Sequence, residues 1–264
     1  MGSLVAALGS FLDARSHEGE WFLRIDDIDP PRHDKPSFES IPRCLESHGL
    51  TWDGPIIFQS QRREAHEDAL AKLRNAGHLF DCLCTRATLG EFGACVSDCK
   101  DRKGIEGSVR FHVPDDGPNR VKDLFLGEQR SSPLPSNFIV KRRDGLIAYQ
   151  LATAIDDLDE GYTHVIRGAD LLESSLRQMM LHQTLERLSP EYGHLPIVTD
   201  QSGNKLSKQT GAQAIDTDTP NANLRRALAF LGQSTPPKDV DCVEDILRFA
   251  TVNWRRDALN PKNL

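Results

Sequence analysis

Residues 162–199 read YTHVIRGADLLESSLRQMMLHQTLERLSPEYGHLPIVT, and their rhythm decides the fold. The run 162–167 (YTHVIR) is aromatic and β-branched, which predicts a strand. Residues 170–188 show the apolar spacing of a helix, and 194–199 (HLPIVT) form a second apolar run. A strand, a crossover helix and a strand pair in parallel. A further helix expected at 148–158 continues the alternation, so the chain is read as an α/β protein.

On the N-terminal side, 3–16 reads as a helix whose apolar stripe is Leu4, Val5, Leu8, Phe11 and Leu12. Ser3 sits at its expected N-cap, with Gly2 before it. A strand is expected at 20–26 (EWFLRID), a helix at 36–48 despite Pro42, and an amphipathic helix at 61–76. Gly49 and Gly77 suit the stops of those two helices. On the C-terminal side of the middle segment, 137–149 (NFIVKRRDGLIAY) carries two apolar runs around Asp144-Gly145, a hairpin signal. The tail, 221–259, reads as helical with a proline link at 235–237.

The middle, 78–135, differs in composition and reads as an inserted module. It contains one alternating strand, 108–113 (SVRFHV), and four of the chain's six cysteines. Cys82, Cys84, Cys95 and Cys99 are spaced C-x-C-x10-C-x3-C. With no secretory leader in view, disulfides are not expected. A closed thiolate set for one structural Zn2+ is the sharper reading, and four unrelated buried cysteines the plainer one. Cys44 and Cys242 are expected to be ordinary core residues.

The chain has 264 residues, 27% charged and 38% apolar, with a formal net charge of −7. That balance argues against a non-specific nucleic-acid coat but allows a local basic surface. Short basic clusters occur at 100–103, 141–143, 225–226 and 255–256. No apolar run approaches a membrane span, and a cytoplasmic address is expected.

Residues 203–212 (GNKLSKQTGA) place Lys205 and Lys208 in a glycine-flanked loop after a strand. Two such lysines can reach a polyphosphate and stabilise charge on a leaving pyrophosphate. The plain alternative is a polar surface loop. At the other end, a helix start preceded by glycine and serine is a natural anion site.

Taken together, these segments resemble the class I aminoacyl-tRNA synthetases. K-L-S-K-Q at 205–209 looks like their KMSKS signature, and G-S-L at 2–4 like the end of their HIGH signature. R-I-D-D-I-D-P-P-R at 24–32, D-G-L-I-A-Y-Q-L-A at 144–152 and V-I-R-G-A-D-L-L at 165–172 resemble the glutamate branch. The D-P-P-R ending, the cysteine spacing and the chain length resemble its short members, the glutamyl-queuosine tRNA(Asp) synthetases.

The resemblance implies a Rossmann-like catalytic domain with a zinc-binding insertion and a short helical tail. Residues 1–77 and 136–215 would be the halves of the nucleotide-binding domain, 78–135 the insertion and 216–264 the tail. It implies tRNA-independent activation of L-glutamate by ATP, with Mg2+, to glutamyl-adenylate. Transfer to the queuosine base at the wobble position of tRNA(Asp) would follow. Gly2, Ser3, Lys205, Leu206, Ser207 and Lys208 match ATP-binding positions, with the two lysines catalytic. Asp26, Tyr149 and Arg167 match glutamate-binding positions, and a monomer is expected.

Two departures stand out. Asp26 replaces a glutamate in the family's R-I-E-D pattern, keeping the charge on a side chain one methylene shorter. The family pattern also begins with a strand that precedes Gly2, so the resemblance implies that Met1 is an internal methionine of a longer protein. Two rival readings stay open: a truncated glutamyl-tRNA synthetase charging tRNA(Glu), and a non-catalytic, zinc-stabilised tRNA-binding paralogue.

Overall fold

The computed structural model describes residues 1–29, 35–90, 93–95, 97–101, 106–131, 136–199 and 215–259. Helix α1 (Gly2–Ser16) buries the expected stripe, with Leu8 and Leu12 wholly enclosed. Its N-cap is Met1, without a side-chain cap, and Ser3 lies inside the first turn and exposed, correcting the expected cap. Gly9 allows close packing: a Cβ there would come within 2.6 Å of the Leu195 side chain.

Strand β1 (Arg24–Ile25) is shorter than the expected 20–26. It pairs in parallel with β2 (Ile57–Phe58), while Trp21 spends its N–H on the Asp53 carboxylate at 2.7 Å. Between them runs α2 (Lys35–Ser47), and α3 (Arg63–Asn75) follows. Gly49 and Gly77 follow these helices with φ of 69° and 80°, in the left-handed region glycine favours.

Strands β3 (Leu79–Cys82), β4 (Ser108–Phe111) and β7 (Phe138–Lys141) form an antiparallel sheet in that order. The turn after β7 returns through a single bridge, Lys141 to Ile147, so the second arm of the expected hairpin is not a full strand. A second hairpin, β5 (Arg120–Asp123) with β6 (Gly127–Arg130), was not legible in the charged sequence that forms it. Its end docks on the parallel pair described next, with Leu124 N–H donating to the Tyr192 carbonyl at 2.9 Å.

Helix α4 (Tyr149–Asp159) leads to β8 (His164–Gly168), α5 (Leu172–Thr184) and β9 (Glu191–Leu195). Strands β8 and β9 pair in parallel, His164 opposite Glu191 and Gly168 opposite Leu195. The last strand therefore lies earlier than the expected 194–199. Its buried members include Tyr192 and His194, whose polar atoms hide a strand from a purely apolar reading. The expected helix 170–188 divides into a 3-10 turn, Ala169–Leu171, and α5.

Helices α6 (Pro220–Phe230) and α7 (Val243–Val252) complete the chain and share a core with α1. Asp13, on α1, clamps the tail. It accepts two bonds from Arg256, both at 2.8 Å, and one from Trp254 Nε1 at 2.9 Å. Cys242 is exposed and caps α7, accepting from the Asp245 N–H at 3.4 Å; it is not a core residue. Cys44 is half-buried. A second core joins α3, α4 and α5 to β4 and β7.

The β1–β2 and β8–β9 pairs are separate sheets. Between them lies a cleft of about 650 Å³. Trp21, Phe22, Leu23 and Arg24 line one side and residues 163–166 the other, with Ser10, Asp13, Ala14 and His17 of α1 completing it. Phe22 and Tyr162 stack at 5.7 Å between ring centres.

Candidate functional site

The four cysteines come together. Cys82 and Cys84 leave the end of β3, and Cys95 and Cys99 return from the following loop. All four sulfurs lie within 4.8 Å of one another. Sγ–Sγ distances are 3.6 Å for Cys82–Cys95, 3.6 Å for Cys84–Cys95 and 3.9 Å for Cys84–Cys99. A tetrahedral zinc with bonds near 2.3 Å has edges of about 3.8 Å, so the set fits that ion. Burial pushes the Cys95 thiol up to about 12 and raises Cys82, while a Ser97 hydrogen bond draws Cys84 down to about 7. Unequal thiols held this close are what a cation would equalise as thiolates.

The second constellation is built on α4, β8, α5 and β9. Tyr149, Thr153 and Asp157 stand at i, i+4 and i+8 on one face of α4. Arg167, on β8, donates from Nη2 to Ser175 Oγ and to Gln178 Oε1, both at 2.8 Å. Its guanidinium lies 5.2 Å from the centre of the Tyr192 ring. Burial raises the Tyr149 phenol above its ordinary range despite the opposing charge of Arg167. Asp26 and Asp157 add to that rise, so the expected trio of Asp26, Tyr149 and Arg167 shares one electrostatic neighbourhood.

Residues outside the expected set complete it. Arg24 donates Nη1 to Asp157 Oδ1 at 2.6 Å and Nε to Asp26 Oδ1 at 2.9 Å. Asp157 is buried, and that burial raises its carboxyl in spite of Arg24. Asp26 remains exposed. Several buried polar atoms have no partner among the described residues: Arg167 Nε, Gln178 Nε2, Asp157 Oδ2 and Tyr192 Oη. Buried polar atoms in folded proteins are normally paired. Donors and acceptors left open side by side suit a small zwitterion or an amino acid.

Beneath Arg167 lies a buried chain of polar groups. His194 Nε2 is 3.0 Å from Ser175 Oγ, and His194 Nδ1 is 2.5 Å from Asp123 Oδ2. Asp123 Oδ1 also accepts from the N–H groups of Phe125 and Leu126, both at 2.9 Å. Burial pulls the Asp123 carboxyl upward, but His194 and those two amides outweigh it and hold it below the usual range.

Gly2 starts α1 beside Val198, whose Cβ is 3.9 Å from where a Gly2 Cβ would stand. This sets the helix start next to the segment that leads into 203–212. Lys205, Leu206, Ser207 and Lys208 themselves lie outside the described residues. The basic clusters are largely spent on internal partners. Lys141 pairs with Glu67, Arg142 with Asp29 and Asp144, Arg255 with Asp257 and Arg256 with Asp13. Arg225 donates to three backbone carbonyls, those of Pro236, Pro237 and Val240.

Comparison with known proteins gives a consistent result. The family model for the catalytic domain of class I tRNA synthetases (E and Q) matches residues 1–95 and 96–245. A glutamyl-Q tRNA(Asp) synthetase of Citrobacter koseri is 41% identical over 267 residues, spanning 96% of this chain and 87% of its own. That of Escherichia coli K12 is 41% identical, spanning 98% and 85%, and that of Chromobacterium violaceum 40%, spanning 96% and 88%. Among solved structures, a glutamate-tRNA synthetase from Elizabethkingia anophelis superposes with a TM-score of 0.77 at 22% identity. That superposition covers 98% of this chain and 63% of the other.

Proposed function

The chain belongs to the class I tRNA synthetase family of glutamate and glutamine, in its glutamyl-Q tRNA(Asp) synthetase branch, and on that premise we propose that it activates L-glutamate and transfers it to queuosine in tRNA(Asp). The observation that carries the reading is the cluster of unpartnered buried polar atoms around Arg167. Arg167 is the partner for the glutamate side-chain carboxylate, since a guanidinium suits a carboxylate's two oxygens. Tyr149 walls the same end. Asp26 and the free oxygen of Asp157 receive the α-ammonium group. Asp26 reaches less far than a glutamate, and Asp157, one helix turn from Thr153, supplies negative charge deeper in the pocket.

With the amino acid held so, a carboxylate oxygen attacks the α-phosphorus of ATP. The bond to the β-phosphate oxygen breaks and pyrophosphate leaves, yielding glutamyl-adenylate. Gly2 and Ser3 take the nucleotide at the helix start. Lys205 and Lys208, with Leu206 and Ser207 between them, bind the phosphates and neutralise the leaving charge, assisted by Mg2+. A nucleophile on the queuosine base then attacks the carbonyl of the anhydride, and AMP departs. Zinc, when bound by Cys82, Cys84, Cys95 and Cys99, supplies a structural crosslink with no part in these bond changes.

The test is transfer of labelled glutamate to purified tRNAs. Label should enter tRNA(Asp) containing queuosine and should not enter tRNA(Asp) lacking it. Label in tRNA(Glu) instead would favour the rival, a truncated glutamyl-tRNA synthetase. No label in any tRNA would favour the non-catalytic paralogue.

A further inference from the structure

Asp123, His194 and Ser175 stand in the order and spacing of a nucleophilic triad, with contacts of 2.5 and 3.0 Å. They do not serve as one. Ser175 and His194 are completely buried, and Ser175 Oγ already accepts from Arg167 Nη2 at 2.8 Å. A substrate carbonyl has no approach to that hydroxyl. The arrangement has another consequence, which follows from counting hydrogens.

Asp123 is ionised and can only accept. Its Oδ1 is taken by three backbone amides, those of Phe125, Leu126 and His194, and its Oδ2 faces His194 Nδ1. That nitrogen must therefore carry a hydrogen. In the neutral ring Nε2 is then bare and accepts the Ser175 hydroxyl hydrogen. The serine's lone pairs are left for Arg167. The opposite polarity, with Nε2 donating, would leave the serine hydrogen only the Leu171 carbonyl at 3.5 Å.

We infer that Asp123 and His194 are positioning residues for Arg167, acting through the direction of the Ser175 hydroxyl. The relay fixes Nη2 between Ser175 Oγ and Gln178 Oε1 and seats the guanidinium over Tyr192. Nε and Nη1, which have no partner among the described residues, stay available for an anion. The seat of the carboxylate-binding guanidinium thus depends on Ser175, on α5, and on Asp123, which lies on β5 outside the four elements that build the site. This inference rests on the reading of Arg167 as the glutamate contact.

The experiment has two readouts on the full chain. The first is ¹⁵N NMR of the histidine rings, with His194 assigned by its loss in His194→Gln. The wild type should show His194 as the Nδ1–H tautomer. Asp123→Asn keeps its Oδ1 for the amides, turns a donor toward His194, and should flip the ring to Nε2–H. A wild-type ring protonated at Nε2, or an unchanged ring in the variant, would overturn the relay.

The second readout is glutamate-dependent ATP–pyrophosphate exchange. Asp123→Asn and Ser175→Ala should each raise the glutamate KM about tenfold, with the ATP KM and kcat within about twofold. The double variant should be no worse than Ser175→Ala, because without the hydroxyl the ring's polarity no longer reaches Arg167. Additive losses, or equal losses in both KM values, would mean a merely structural role and overturn it. Arg167→Ala separates the two claims. An unchanged glutamate KM there sinks the binding assignment, while the NMR result still decides the relay. Should Asp123→Asn fail to fold, the wild-type tautomer and Ser175→Ala suffice.

Discussion

Arg167 is held by a serine hydroxyl, an amide oxygen and an aromatic face, all neutral. Asp157, a buried carboxylate that feels the charge of Arg167, is already engaged by Arg24 at 2.6 Å. A half-buried guanidinium with neutral partners keeps most of its charge for a ligand, and it loses stability until an anion arrives. Arg167→Ala should therefore raise the glutamate KM by about a hundredfold while barely moving that of ATP. Arg167→Lys should recover only part of the loss, because a point charge cannot bind both oxygens. Steady-state exchange kinetics check both. Arg167 and Tyr149 were legible in the sequence because each sits inside a motif. Asp157, Tyr192 and Asp123 were not. Each looks like a core or turn residue until the fold brings its partner from far along the chain, as His194 lies 71 positions from Asp123.

At the scale of elements, two clamps and a four-cysteine loop tie distant segments together. Asp13 joins α1 to the tail through Arg256 and Trp254, and it is nearly buried. Asp13→Ala leaves a guanidinium and an indole N–H without their acceptor. It should cost about 3 kcal/mol in urea unfolding; a loss within noise would show that the tail docks without it. His182 ties α5 to α4 by donating to the Ala154 carbonyl at 3.1 Å, and burial lowers its pKa to about 4. The unfolded ring titrates near 6.5, so above that pH the group adds no pH dependence to stability. As pH falls from 6.5 toward 4 the unfolded state takes up a proton that the folded state refuses. That window should cost about 3 kcal/mol, and His182→Gln should flatten the pH slope of stability there. The cysteine loop should bind one zinc per chain, and chelation should lower Tm. Cys84→Ser should abolish stoichiometric binding; retained zinc would contradict the four-sulfur site. Periodicity located α1, α3, α4 and the body of α5, although α4 and α5 bury polar residues such as Asp157, Ser175 and Gln178 among their apolar ones. It misplaced β9, because the obvious run HLPIVT contains Pro196, which cannot donate to a ladder, while the true strand hides polar residues inside.

At the scale of the whole molecule, two parallel strand pairs face one another across a cleft of about 650 Å³. Parallel strands are usually covered on both sides and paired on both edges in a sheet interior. Here β8 stays partly exposed along its length, whereas β9 is buried beyond its first residue. Amides of β8 that point toward the cleft should exchange hydrogen much faster than those bonded to β9. Uniformly slow exchange across β8 would show that its cleft-facing edge is paired in solution. The α/β class was legible from alternation alone. The separation of the sheets was not, because it depends on which edges meet rather than on any local pattern. The account as a whole turns on one cavity that joins an acidic amino acid to a nucleotide. Its most direct test follows isotope-labelled pyrophosphate into ATP without any tRNA. The account predicts incorporation that requires L-glutamate and, at glutamate near the wild-type KM, falls steeply in Arg167→Ala; incorporation that ignores glutamate, or that begins only when tRNA(Glu) is added, would contradict it.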